Sequence, residues 1–330
     1  MNICFIGDHS SNLDEGLKNI AYYISKELSK DNDTCFLNIK KPFTIKFIRI
    51  LLTFNPDVIH YFTGPTILSF VLLKILGIRW KKSRQIVSAL HPSSVASLFS
   101  NKLFLKTSKF LRPMMVLVQD QESKDLFDSI NYVTRLIFNG VDTEKFAPID
   151  KQSKFNLRKT YNISVKKFVL LHVGHLSTNR NLQILKELQT GDQQVLIAAS
   201  TYLENDEELY KSLVNKGCIV FRGYCKDVNE LYELSDCYIF PVKKGKSIFM
   251  PLSVMEAMSC NLPVISTKFE GLISAFEEGE GLFFEDDITE YNQIISRIKS
   301  GSEDIATRKQ VLRYSWKNIS QELMSCYSSL

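Results

Sequence analysis

One stretch of the chain concentrates residue types suited to a phosphorylated ligand. Ser247 to Thr267 reads SIFMPLSVMEAMSCNLPVIST. Pro251 suits the first turn of a helix, where its missing N–H would be unpaired anyway. Leu252 and Ser253 then lie at a helix start, where free backbone N–H groups and the positive dipole end attract phosphate. Glu256, about one turn in, can accept hydrogen bonds from vicinal hydroxyls. Asn261 and Pro263 stop the helix and lead into a buried strand. Elsewhere, Arg180 carries a permanent charge able to grip phosphate oxygens in a bidentate fork. His175 is largely neutral at pH 7 when free. His91 ends an apolar strand-like run and precedes Pro92. Asp31-Asn32-Asp33 has the D-x-D spacing of some metal sites, but it falls between a helical run and a strand, where such residues simply make turns.

These residues need a scaffold, and the pattern of apolar runs describes one. In the first half, strands are predicted at 2–6, 33–37, 57–62, 85–90, 114–118 and 133–138, with helices near 15–28 and 66–76. In the second half, strands are predicted at 168–172, 194–198, 218–221, 237–241 and 263–266. Helices fall from about 181, over 206–215, near 228–234 and near 253–260. Short strands alternating with helices imply parallel βαβ units. A chain of 330 residues, at roughly 100–200 residues per domain, suits two such domains. The polar, turn-rich segment 139–153 separates them. Ligands of open α/β sheets bind beyond the carboxyl ends of the strands, so two such domains facing each other would form a cleft. Seven cysteines with no C-x-x-C pair indicate neither a zinc site nor a disulfide framework, and point to a reducing compartment. No secretory signal is visible, and the apolar run 66–78 is too short to span a bilayer.

With the residues placed, MEAMSCNLPVIST resembles the second half of the signature of the fourth glycosyltransferase family, which has the two-Rossmann GT-B fold. Further matches follow in order. Phe138 to Phe146 resembles an N-G-V-D-x-x-x-F segment between the domains. Leu170 to Arg180 (LLHVGHLSTNR) resembles a V-G-R-L-x-x-x-K loop. Phe221-Arg222-Gly223-Tyr224 to Asp236 resembles F-x-G-x-V followed by L-Y-x-x-A-D. Ser315-Trp316 to Tyr327 resembles a last helix that packs back on the N-terminal domain. The resemblance covers nearly the whole chain.

It implies an acceptor-binding domain over 1–148, rejoined by the helix at about 315–330, and a donor-binding domain over 149–314. It also implies a retaining transferase that uses a nucleotide-sugar, a UDP- or GDP-sugar, as substrate and needs no further cofactor or metal. By the match, Glu256 holds the ribose, while Gly174, His175 and Arg180 surround the diphosphate together with Leu252 and Ser253. His91 lies near the reacting sugar, where it positions groups or stabilises charge. Gly16, Lys246, Ser247 and Gly271 are further candidate donor or acceptor contacts. The chain departs from the pattern at Ile248, where the family has its first signature Glu, and at His175, where it has Arg. Those departures leave a second reading: a chain impaired in turnover that acts as a binding or regulatory subunit.

The net charge of +5 resolves unevenly. Between Thr34 and Val118 stand 13 basic residues and one acid, Asp57, a balance of +12 that leaves −7 for the rest. The bases are interleaved with Phe43, Ile45, Phe47, Ile48 and Leu51, then with Leu103, Phe104, Leu105, Phe110 and Leu111. Basic amphipathic segments of this kind lie in the interface of anionic membranes. The expectation is a lipid-linked or saccharide acceptor and a cytoplasmic protein held peripherally at the inner membrane face. Nucleic acid fits less well, because no stacking groove accompanies the charge.

Overall fold

The structure, a computed structural model, describes the chain except residues 8–15, 39–43, 63, 178–179, 201–205, 243–249 and 330. The described residues divide into two compact units, one comprising Met1–Gly140 and Trp316–Leu330, the other running mainly from Val141 to Ser315. Each is built on a six-stranded sheet whose pairings are all parallel, flanked by helices. These are two Rossmann-like domains.

In the first unit the strands are β1 (Asn2–Gly7), β2 (Asp33–Asn38), β3 (Val58–Tyr61), β4 (Arg84–Ala89), β5 (Met115–Val118) and β6 (Thr134–Leu136), in the order β2-β1-β3-β4-β5-β6. The helices are α1 (Gly16–Leu28), α2 (Ile45–Phe54), α3 (Ile67–Arg79), α4 (Pro92–Phe99), α5 (Lys102–Thr107) and α6 (Gln121–Ser129). The strands read as continuous apolar runs because helices cover the sheet. Phe70, Phe104, Phe127 and Tyr132 form one buried aromatic cluster; the Phe70 and Phe104 ring centroids are 5.3 Å apart.

The second unit carries β7 (Phe168–His175), β8 (Gln193–Ser200), β9 (Ile219–Arg222), β10 (Cys237–Phe240), β11 (Val264–Ser266) and β12 (Leu282–Phe284), ordered β12-β11-β10-β7-β8-β9. Its helices are α7 (Lys151–Thr160), α8 (Ile184–Leu188), α9 (Glu207–Asn215), α10 (Val228–Glu233), α11 (Leu252–Ser259), α12 (Glu270–Ala275), α13 (Ile288–Lys299) and α14 (Thr307–Val311). The short strand β12 escaped the sequence reading, being three residues long after a turn with Gly279 and Gly281 at positive φ. The strand predicted at 168–172 continues to His175, so Gly174 and His175 belong to it rather than to a loop.

The last helix, α15 (Trp316–Ser328), belongs to the first unit. The Trp316 ring stacks on Tyr23 of α1 at 5.3 Å between centroids. A Cβ on Gly140 would collide with the same ring, which is why the N-G-V-D segment needs glycine there. Deeper in, His60 of β3 bridges Tyr327 (2.6 Å from Nδ1 to Oη) and Ser88 of β4 (2.7 Å from Nε2 to Oγ).

Burial holds the His60 pKa down at about 3. A histidine kept neutral in this way stabilises the fold fully above its unfolded pKa of about 6.5. That contribution is lost as pH falls from there toward the folded value. Between pH 7 and 5 the loss should be about 2 kcal/mol for this one group. Urea unfolding at both pH values checks this: a His60→Asn variant should show a shallower pH dependence. Equal losses in both proteins would remove His60 from the account.

Candidate functional site

The chemistry-bearing residues of the second unit gather at the carboxyl ends of β7 and β10. α11 begins at Leu252, with Pro251 as its N-cap rather than inside its first turn. The Pro251 carbonyl accepts from Val254 N at 3.2 Å and Met255 N at 3.4 Å. The helix ends at Cys260, and Asn261 follows at a φ of 57°, a left-handed position that asparagine tolerates. Its face toward the sheet is apolar, with Val254, Met255, Ala257 and Met258 buried. That burial fixes which way Glu256, only partly buried, can point.

Glu256 is held from one side. Tyr232 of α10, fully buried, donates its phenolic hydrogen to Oε2 at 2.7 Å. Burial pushes the Glu256 pKa up to about 7, against the Tyr232 hydrogen bond and the Lys145 charge, while Asp142 adds to the rise. Asp142, Lys145 and Phe146 come from the N-G-V-D-x-x-x-F segment. Asp142 Oδ1 accepts from the backbone of Glu144 (3.2 Å) and Lys145 (3.0 Å), closing a tight turn. Phe146 then packs edge-on against Tyr232, with centroids 5.5 Å apart at 89°, and its carbonyl accepts from Ser259 Oγ of α11 at 2.6 Å. The motif therefore braces the helix that carries Glu256.

Tyr238 of β10 links this group to β7. Its phenol donates to the Val173 carbonyl at 3.2 Å. Burial raises its pKa, while the Ser253 side chain and the Arg180 charge act in the opposite direction. Ser253 and Arg180 therefore lie near one phenol. The Arg180 guanidinium carbon stands 6.0 Å from the Phe240 ring centroid, and Phe240 in turn packs at 6.0 Å on Phe269, the N-cap of α12. Gly271, in the first turn of α12, is buried.

Arg180 is distinctive electrostatically. Burial lowers its pKa, with the Tyr238 phenol acting the other way. Among the described residues no carboxylate pairs with it. Arg158 of α7 has the opposite environment. Its Nη2 donates to Asp236 Oδ2 at 2.6 Å, its Nε to the Leu234 carbonyl at 2.9 Å and its Nη1 to the Lys167 carbonyl at 3.2 Å. A half-buried guanidinium with no anion beside it suits an incoming phosphate; a fully partnered one suits structure.

Gly174, His175, Arg180, Leu252, Ser253 and Glu256 thus share one unit and its strand ends, with Gly271 at the helix beyond Phe240. His91 and Gly16 belong to the other unit. His91 is the N-cap of α4, just past β4; its Nδ1 lies 2.7 Å from Ser93 Oγ and its carbonyl accepts from Ser94 N and Val95 N. Gly16 is the first residue of α1. Lys246, Ser247 and Ile248, like Lys243 and Lys244, lie outside the described residues.

Three residues here were not singled out from the sequence. Tyr232 is the tyrosine of the L-Y-x-x-A-D match and Tyr238 follows just after it, and only the fold shows what they touch. His172 was hidden inside an apolar run. Fully buried, it lies with Nδ1 2.9 Å from the Ile239 carbonyl, which fixes the proton on Nδ1. Among the described residues Nε2 has no partner, and a Cβ on Gly174 would stand 3.2 Å from it.

Comparison with known proteins bears on the family and the fold. Residues 167–300 match the family model described as Glycosyl transferases group 1. The chain is 27% identical over 199 residues to the sulfoquinovosyl transferase SQD2 of Arabidopsis thaliana, covering 56% of this chain and 37% of that protein. It is 29% identical over 147 residues to an Escherichia coli UDP-Gal:alpha-D-GlcNAc-diphosphoundecaprenol alpha-1,3-galactosyltransferase, covering 41% and 37%. The first curated relatives are matched over 37% to 58% of their own length. Among solved structures, Anabaena HepE in complex with UDP is similar over 100% of both chains, with a TM-score of 0.76 at 17% identity, a likeness of fold. Motifs, family match and the GT-B fold point the same way: the chain resembles the glycosyl transferases group 1 family, whose model matches it over residues 167–300.

Proposed function

We propose that this chain transfers a sugar from a nucleotide-sugar, a UDP-sugar in the first instance, to a saccharide or lipid-linked acceptor with retention at the anomeric carbon. The observation that carries the reading is Arg180: a half-buried guanidinium with no described carboxylate, near the same Tyr238 phenol as Ser253 at the start of α11, the helix bearing Glu256. In this reading the ribose hydroxyls bond to Glu256. The diphosphate lies against Arg180 and the free N–H groups of Leu252 and Ser253, with Gly174 leaving room and His175 adding charge. The bond from the anomeric carbon to the phosphate oxygen breaks as that carbon bonds to the acceptor oxygen on the same face, and the acceptor's proton passes to the departing diphosphate oxygen. Charge gathering on the leaving diphosphate is met by fixed positive groups, the kind of stabilisation that lowers barriers most. His91 positions or stabilises the reacting sugar, and Gly16, Lys246, Ser247 and Gly271 are further donor or acceptor contacts. HepE has been solved with UDP and with UDP-glucose, and the E. coli relative is named for a UDP-sugar and a diphosphoundecaprenol acceptor.

The acceptor side of the reading rests on the first unit. Phe47, Leu51 and Phe104 turn inward, whereas Ile48, Leu103, Leu105 and Phe110 are exposed, as are Leu68 and Ile78 of α3. Lys74, Arg79, Lys102 and Lys109 are exposed among them, and Lys109 Nζ lies 4.9 Å from the Phe110 centroid. A shallow depression lined by Lys74, Ile78, Arg112 and Pro113 joins α3 to the segment following Phe110. No described helix is long and apolar enough to cross a membrane. Exposed apolar side chains rimmed by lysine and arginine suit peripheral docking on anionic lipid.

Calorimetry with UDP, GDP, ADP and CDP tests the donor. UDP should bind in the micromolar range, and absence of binding by all four at millimolar concentration would refute the reading. Flotation with liposomes tests the surface. Recovery should be several-fold higher on anionic than on neutral vesicles and should fall with salt; equal recovery would remove the electrostatic argument.

A further inference from the structure

Tyr232 has no contact with solvent, yet its one polar atom ends on Glu256. Its ring is clamped by Phe146 edge-on and by Tyr238 at 5.7 Å between centroids. A phenol so fixed cannot swing away, and having one hydrogen it can only donate to a carboxylate. The carboxylate has two oxygens. Oε2 is occupied by the phenol, and no described residue bonds Oε1.

We propose that Tyr232 is a positioning residue that holds Oε2 of Glu256 so that Oε1 is presented, in one fixed orientation, to a pair of ribose hydroxyls. This rests on the reading of Glu256 as the ribose acceptor. The phenol does two things at once. It removes the rotational freedom a half-buried glutamate would otherwise lose on binding, which favours association. It also stabilises the ionised carboxyl, because a hydrogen bond donated to a carboxylate favours the charged form. The second effect matters here because burial works against ionisation. The other groups facing Glu256 are Lys145 and Asp142 from the braced turn, of opposite sign, Tyr238 of β10 and Cys260 at the end of α11. Of these groups, Tyr232 alone is hydrogen-bonded to the carboxyl among the described residues.

The experiment is UDP affinity by calorimetry from pH 5.5 to 9 for the wild type, Tyr232→Phe and Glu256→Gln, with melting temperatures recorded for each. Phenylalanine keeps the clamped ring and deletes only the donor. Wild-type affinity should rise through a midpoint near pH 7. Tyr232→Phe should move that midpoint up by about one pH unit, since a hydrogen bond to a charged group is worth about that much. At pH 7 affinity should fall about fivefold, and most of it should return at pH 9. Glu256→Gln should bind weakly with a flat profile. If Tyr232→Phe leaves affinity and midpoint unchanged while Glu256→Gln still binds weakly, the positioning role is wrong and the ribose reading stands; a loss equal at every pH with an unchanged melting temperature keeps the orienting role and overturns the effect on ionisation. If Glu256→Gln binds UDP as the wild type does, the ribose reading falls and this proposal with it.

Discussion

Replacing Arg180 with alanine should weaken UDP binding by about a hundredfold while leaving the nucleotide-free protein at least as stable as before. The first half of this expectation follows from the guanidinium's fork. Hydrogen bonds to charged partners are worth about 1.5–3 kcal/mol each. Losing two amounts to about 3 kcal/mol or more, and each 1.4 kcal/mol is about tenfold in affinity. The second half follows from what surrounds Arg180 in the free protein. It is half-buried, its charged form is disfavoured by that burial, and no described carboxylate compensates. The Phe240 ring 6.0 Å away offers a cation–π contact that offsets only part of the cost. A residue that destabilises the empty protein and serves only when an anion arrives is the signature of a binding group. Calorimetry and thermal unfolding of the same variant decide it. Unchanged affinity, or a melting temperature several degrees lower without nucleotide, would make Arg180 a structural residue. Arg180→Lys should be intermediate, keeping the charge and losing the planar fork.

The opposite outcome is expected at Arg158. Arg158→Ala should destabilise the protein by about 3–5 kcal/mol, the range for breaking a buried ion pair from one side. Arg158 is 7% exposed and makes three hydrogen bonds, to Lys167 and, much further along the chain, to Leu234 and Asp236. Asp236 would be left with Lys154, 2.7 Å away, and with the Val169 N–H, 2.7 Å away, but without its buried partner. The carbonyls of Leu234 and Lys167 would lose their donor as well. These contacts tie α7 to the amino ends of β7 and β10, remote from the cluster at the carboxyl ends, so nucleotide affinity per folded molecule should not change. Urea unfolding with UDP titration of the folded fraction checks both parts. A loss below about 1 kcal/mol would show that the network is replaceable by solvent.

Much of the scaffold is legible in the residues. The run of apolar strands and amphipathic helices announces parallel sheets, because only a strand covered on both faces can be apolar throughout. Leu252 to Ser259 is readable as a helix because proline, asparagine and a second proline bracket it. Local chemistry set those boundaries, so local reading found them. Where the reading slipped, a long-range partner was deciding. β7 runs on through Gly174 and His175 because β8 pairs with it over Gly174↔Ala199 and His175↔Ser200. A glycine in the sequence looks like a loop until its neighbour strand is known. Likewise β12 exists because β11 offers an edge at Val264–Ser266, a fact no periodicity over three residues could carry.

The site divides in the same way. The kinds of group it needs are visible in the sequence itself: a carboxylate one turn into a helix, a permanent cation after a strand, and a glycine near that strand's end. The sequence also shows the departure at Ile248 and the uneven charge of the first half. What it left undetermined is which partners surround each arginine and what orients the glutamate. Arg158 and Arg180 are chemically identical. The sheet order places β10 beside β7, which brings Asp236 onto Arg158 and the Tyr238 phenol, rather than an acid, toward Arg180. Tyr232 meets Glu256 across 24 residues for the same reason. Residue type sets what a side chain can do, but its burial and its partner set its charge, and those come only from strands and helices packed against one another.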